Sequence, residues 1–136
     1  MKTQEESGNA AELMAKGAFR LIRKFRFLQN ERLKKRSDIQ AVFKQGKKYS
    51  CQGAKLFVLK NSLSYNRICF TFSRGFGKAV QRNRARRLSR EAYRLMQARL
   101  ASGYDFLLLV FPETKASTAT RTMQLEFLFS KAGILE

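Results

Sequence analysis

A chain of 136 residues with 44% hydrophobic content has room for one domain and a sizeable core. Its 28 Lys and Arg against 10 Asp and Glu leave a net charge of +18, a surface that repels itself unless a polyanion covers it, so nucleic acid is the first partner to expect and an anionic membrane surface the second. A spanning helix is excluded because the longest apolar run is Phe106 to Phe111, and the scatter of Glu5, Glu6 and Glu12 excludes a secretory leader, so a cytoplasmic protein with no membrane partner is expected.

In chain order, residues 1–24 read as an N-terminal extension, polar and then weakly helical over Ala10 to Leu21, with the composition of a segment that is disordered in isolation. The domain proper is expected over 25–136. Ser37 and Gln40 have capping-box spacing, Ile39, Val42 and Phe43 share one helical face, and Gly46 stops this short first helix. Tyr49 to Leu59 and Arg67 to Ser73 are strand-like, and Asn61 to Asn66 between them has turn chemistry. They predict a hairpin, with room for a further short strand early in the first run. Alternation along that run puts Val58 and Lys60 on one face and Phe57 and Leu59 on the other. Cys51 and Cys69 fall within these strands, and with no histidine to complete a zinc site they are expected to be buried free thiols.

Ala79 to Leu100 predicts a long helix ended by Ser102 and Gly103, and Tyr104 to Phe111, stopped by Pro112, predicts a strand at the centre of the sheet. A last helix is expected over Ser117 to Ala132, with Leu125, Leu128, Phe129 and Ala132 inward and Gly133 as terminator. The order helix, strands, helix, strand, helix predicts an α/β (α+β) fold, a two-layer sandwich on a small sheet.

The long helix carries the strongest signal. At about 100° per residue, Ala85, Leu88, Ala92, Leu95 and Met96 fall on one arc, and Arg82, Asn83, Arg86, Arg87, Arg90 and Arg94 lie opposite. An ordinary solvated face mixes charges in pairs four apart. Here Glu91 is the only carboxylate, and guanidinium groups suit bidentate phosphate contacts and base stacking. Upstream, Ser73 to Lys78 is a basic, glycine-containing approach to the helix; it fits neither a dinucleotide-binding loop nor a P-loop, and its glycine pair serves equally a phosphate contact or a plain turn.

The run Gly77-Lys78-Ala79-Val80-Gln81-Arg82-Asn83-Arg84-Ala85-Arg86-Arg87-Leu88-Ser89-Arg90-Glu91-Ala92-Tyr93-Arg94-Leu95 resembles the signature of the bacterial ribonuclease P protein family, centred on Arg-Asn-Arg. The resemblance extends to Arg32-Leu33-Lys34-Lys35-Arg36, Val42-Phe43-Lys44-Gln45-Gly46, Arg67-Ile68 and Tyr104-Asp105, covering roughly Arg32 to Ala132. It implies a left-handed crossover around the long helix. It also implies that the chain is the protein component of an endoribonuclease whose catalytic RNA subunit removes the 5′ leader of precursor tRNA, with Mg²⁺ held mainly by RNA and no protein partner required. Lys78, Arg82, Asn83, Arg84, Arg86, Arg87 and Arg90 are then the expected RNA-binding residues. A cleft between the first helix and the sheet is expected to take the leader, with Phe43 as a stacking platform, or alternatively a core residue, and Lys60 as an added cleft residue. Three positions depart from the family pattern: Ile39 stands where an aromatic is common, Cys69 where glycine is, and Gly75 where lysine is.

Catalytic residues are expected to be absent. Phosphodiester hydrolysis by protein groups needs an acid and base or a carboxylate metal site, whereas this chain has no histidine and spreads Asp38, Asp105, Glu113 and Glu126 over separate elements. A ribosomal or RNA-assembly protein, which shares the charge but not the Arg-Asn-Arg helix, is the alternative reading; an independent nuclease ranks below it.

Overall fold

The protein is described here by a computed structural model over residues 31–113 and 116–136. The reading of residues 1–24 as an extension lies outside these described residues. Helix α1 (Arg36–Gln45) is followed by strands β1 (Lys47–Cys51), β2 (Ala54–Lys60) and β3 (Arg67–Phe72), then helix α2 (Ala79–Met96), strand β4 (Tyr104–Val110) and helix α3 (Thr118–Lys131). The strands form one mixed sheet in the order β1-β2-β4-β3, antiparallel except for the β3–β4 pair.

The apolar run of β4 takes the central place because it is covered on both faces: Phe106, Leu108 and Val110 point into one cluster and Leu107 into another. That placement overturns the hairpin expected from β2 and β3. The hairpin is β1–β2, turning at Gln52 and Gly53, so the additional early strand is the true partner. Asn61 to Asn66 is a turn, with the Leu63 N–H donating to Asn61 Oδ1 at 2.9 Å, but it carries the chain past β4 instead of between neighbours.

The α+β class and the element order are those expected, with the helices divided between the two faces of the sheet. On one face α2 and α3 seal a large core, in which the rings of Phe106 and Phe129 lie 4.9 Å apart and Tyr93 packs edge-on to Phe106. On the other, α1 is the helix that covers Leu33, Phe57 and Leu107 among the described residues, with its own Val42 packed among them. The division follows from capacity: ten residues of helix with one fully buried side chain, Val42, cannot shield a four-stranded sheet. Helix α1 begins at Arg36, with Lys35 at the cap and no side-chain capping bond, so the Ser37 capping box does not form. Gly46 ends it for a steric reason, since a Cβ there would sit 2.5 Å from the Val42 carbonyl oxygen and 3.0 Å from that of Val58.

Polar groups fix the relation of these layers. Asp105, only 4% exposed, receives a bidentate pair from Arg67 (Nε at 2.8 Å, Nη2 at 2.7 Å) and a bond from Asn61 Nδ2 at 2.8 Å. Asp105 also holds the Arg67 guanidinium above its usual range. Arg67 Nη1 reaches Asp38 on α1 at 3.4 Å, tying the helix to the sheet. A second buried guanidinium, Arg121 on α3, is 1% exposed and lies 3.7 Å from Glu113; the inward face of α3 therefore includes a charge as well as Leu125, Leu128 and Phe129. Cys51 and Cys69 are free and half-buried. They belong to opposite faces and opposite edge strands, too far apart to be bridged. Among the described residues no helix is long and apolar enough to cross a membrane.

Candidate nucleic-acid interface

Helix α2 is positioned by a stripe of Ala85, Ser89, Ala92, Tyr93 and Met96, all buried. The stripe is rotated from the expected arc, since Leu95 is 48% exposed while Ser89 and Tyr93 are enclosed. The reason is packing between the sheet and α3: small Ser89, whose Oγ has no partner, allows close approach, and Tyr93 fills the space between Phe106, Phe129 and Phe70. The guanidinium groups are displaced to the other side of the helix as a consequence.

The helix begins at Lys78, whose backbone N–H donates to Gln81 Oε1 at 2.8 Å. Gly77 makes that bond possible: its φ is +143°, and a Cβ would collide with the Gln81 amide oxygen at 2.1 Å. The glycine-containing approach is thus a helix-entry turn, with Arg82 Nη1 closing onto the Gly77 carbonyl. Arg82, Asn83, Arg84 and Arg87 are exposed, and Arg86 and Arg90 half-buried. Arg86 is held from two sides, with its guanidinium 5.1 Å from the Phe72 ring and Nη1 donating to Asn83 Oδ1 at 2.9 Å. That bond occupies the Asn83 amide oxygen. Arg84 is on the opposite flank, reaching the Ala116 carbonyl at 3.4 Å. The one acid of the helix is consumed locally, because Glu91 pairs with Arg94 at 2.6 Å.

Arg32 belongs with this surface, a residue that helical periodicity had no means of placing there. The Leu33 N–H donates to the Ile68 carbonyl at 2.9 Å, which lays Arg32 along the outer edge of β3. Burial lowers the Arg90 guanidinium from its ordinary range, and the positive charges of Arg32 and then Arg86 lower it further.

Phe43 occupies a different site. It is 58% exposed, which argues against the core-packing alternative, and its ring lies 5.2 Å from that of Phe57. The two rings, with Ile39, Leu107 and Leu109, line a cleft of about 250 Å³ between α1 and the sheet, whose only polar liners are Gln40 and Thr71. Lys48 Nζ stands 5.6 Å from the Phe57 ring at its side. The alternation read from β2 holds, and it is the Phe57 and Leu59 face that looks toward α1. Lys60 shares its face with Val58 and its register partner Tyr104, so it is not brought together with Phe43. Phe57, Thr71, Leu107 and Leu109 escaped the sequence reading because the cleft-facing parity of each strand depends on its register with β4.

Comparisons with known proteins identify the family. The family described as Ribonuclease P matches residues 27–133. The Ribonuclease P protein component of Clostridioides difficile (strain 630) is 38% identical over 93 residues, covering 68% of this chain and 82% of that one. That of Clostridium kluyveri is 36% identical over 109 residues, covering 76% and 95%. Among solved structures, the RNase P protein from Thermotoga maritima superposes with a TM-score of 0.66 at 28% identity, covering 74% of this chain and 96% of that one. A Staphylococcus aureus RNase P protein gives 0.69 at 22% identity over 78% and 98%, a likeness of fold. With the family matched across nearly all of the described residues, this chain belongs to the ribonuclease P protein family and is a protein component of that endoribonuclease.

Proposed function

We propose that the chain binds the catalytic RNA subunit of ribonuclease P through the arginine face of α2, and the single-stranded 5′ leader of precursor tRNA in the cleft beneath α1. The carrying observation is the array of Arg82, Arg86, Arg87 and Arg90 around Asn83 on a helix whose own single carboxylate, Glu91, is paired with Arg94. Lys78 and Arg84 extend it at the helix start and on its second flank. Each exposed guanidinium can neutralise a phosphate and release counterions, while the amide NH₂ of the exposed Asn83 can make a directed bond that carries no charge. The aromatic cleft suits an unstacked base, since rings accept any base face.

The chemistry is assigned to the RNA. The described carboxylates do not fit a Mg²⁺ site, because each of the candidates is already engaged by arginine: Asp38 and Asp105 by Arg67, Glu113 by Arg121 and Glu126 by Arg99. The protein's contribution is binding energy, spent on holding the RNA subunit and the leader in one geometry. Family membership favours this reading over a ribosomal or assembly role. It is tested by precursor-tRNA cleavage at low Mg²⁺ with the cognate RNA, with and without the protein. Strong stimulation by the protein, and no cleavage by the protein alone, is expected; cleavage by RNA-free protein that one acidic substitution abolishes would overturn it.

A further inference from the structure

The face of the sheet beneath α1 does not end at the Phe43–Phe57 cleft. Strand register arranges it in rows: Lys48, Phe57, Leu107 and Cys69 in the first, and Ser50, Lys55, Leu109 and Thr71 in the second. Leu109 and Thr71 already line the cleft, so the second row is continuous with it. One step further the Phe111 N–H donates to the Gly53 carbonyl at 3.0 Å, continuing the β2–β4 ladder, and Lys55 Nζ sits 5.9 Å from the Phe111 ring. Both side chains are half-buried. A lysine thus lies over a ring at two places on one face: Lys48 over Phe57, which is itself buried next to the exposed Phe43, and Lys55 over Phe111.

We propose that Phe111 and Lys55 form a second nucleotide subsite, so that the leader crosses the sheet on two aromatic platforms, Phe43 and then Phe111, with Lys48 and Lys55 in reach of the adjoining phosphates. This rests on the leader-cleft reading above. Single-stranded RNA is the occupant because aromatic rings on an open sheet face offer stacking to any base while lysines close to them can meet the phosphates, and two such places along one face match a repeating polymer. Phe111 is four residues along the strand from the position level with Phe57, or about 13 Å at about 3.3 Å per residue. Bases stacked as neighbours are only about 3.4 Å apart. Adjacent bases therefore cannot occupy both rings; about four nucleotides separate the two positions, and the second subsite engages only leaders long enough to arrive there.

The test uses the assembled holoenzyme and precursor tRNAs whose leaders lengthen one nucleotide at a time. For the unmodified protein, affinity should rise in two steps. Phe111→Ala should remove the second step, weakening long-leader substrates about fivefold or more while leaving the shortest leaders and mature tRNA unchanged. Phe111→Trp should restore it, which a purely structural role for the side chain would not predict, and Lys55→Met should lower the second step and its salt dependence. Loss of the first step in Phe43→Ala with the second step insensitive to Phe111→Ala would overturn the subsite and leave the cleft standing. Insensitivity to both variants would remove the cleft and the subsite together, and an equal loss at every leader length in a folded Phe111→Ala protein would likewise overturn the subsite.

Discussion

The two faces of the sheet are made from alternate residues of the same strands, yet one is sealed and the other is open. Toward α2 and α3, Leu56, Ile68, Phe106, Leu108 and Val110 are essentially inaccessible. Toward α1, Phe57 and Leu107 are buried but Leu109 and Thr71 remain half-exposed, and Phe43 stands out from its helix. Two helices close a face, while one short helix leaves a groove. The sealed face accounts for the stability of the domain, and the open one provides an apolar aromatic surface that a packed core would have consumed.

That contrast is broken most forcefully from the sealed side. Phe106→Ala removes a fully buried ring packed against Tyr93, Tyr104 and Phe129 and should destabilise the fold by about 3–5 kcal/mol, read from chemical denaturation. Arg67→Met strands the buried Asp105 carboxylate with Asn61 alone and frees Asp38, so a loss of about 3 kcal/mol or more is expected, together with a loosened α1. On the open face Phe43→Ala should behave oppositely. Its stability should change by less than about 1 kcal/mol, whereas affinity for substrates with a leader should fall by about 1–3 kcal/mol relative to mature tRNA. Equal weakening of both substrates with a large drop in stability would return Phe43 to the core. Smallest of all should be removal of residues 1–24: a protein beginning at Phe25 should bind RNA with a thermal midpoint that barely moves, and failure to fold would place the domain boundary earlier.

Much of this was legible from local pattern. The arginine face of α2 follows from 100° periodicity and the near-absence of acids, and β4 announces itself as central by an unbroken apolar run closed by Pro112. What escaped depends on packing between segments distant in sequence. Asn61 to Asn66 has real turn chemistry, but nothing local says that β4 will insert between β2 and β3. Parity along β2 separates Phe57 from Lys60 without saying which face meets α1. Leu95 and Tyr93 are both plausible core residues on a helical wheel; only the position of α3, which encloses Tyr93, decides between them. Arg32 reaches the basic surface because the neighbouring Leu33 N–H bonds to the Ile68 carbonyl, a relation that composition does not encode.

The central claim is that the face of α2 bearing Arg82, Asn83, Arg86, Arg87 and Arg90 docks on the RNA subunit, and a salt titration of holoenzyme assembly tests it most directly. Arg82, Arg86 and Arg87 changed together to Ala should leave the circular dichroism intact, since none belongs to the buried stripe. They should lower affinity and flatten the slope of log K against log salt by about 2–3, at about 0.7–0.9 for each phosphate that is no longer neutralised. Asn83→Ala, which removes no charge, should lower affinity with little change in slope. A folded triple variant that binds with unchanged affinity and unchanged slope would contradict the account and move the RNA to another surface.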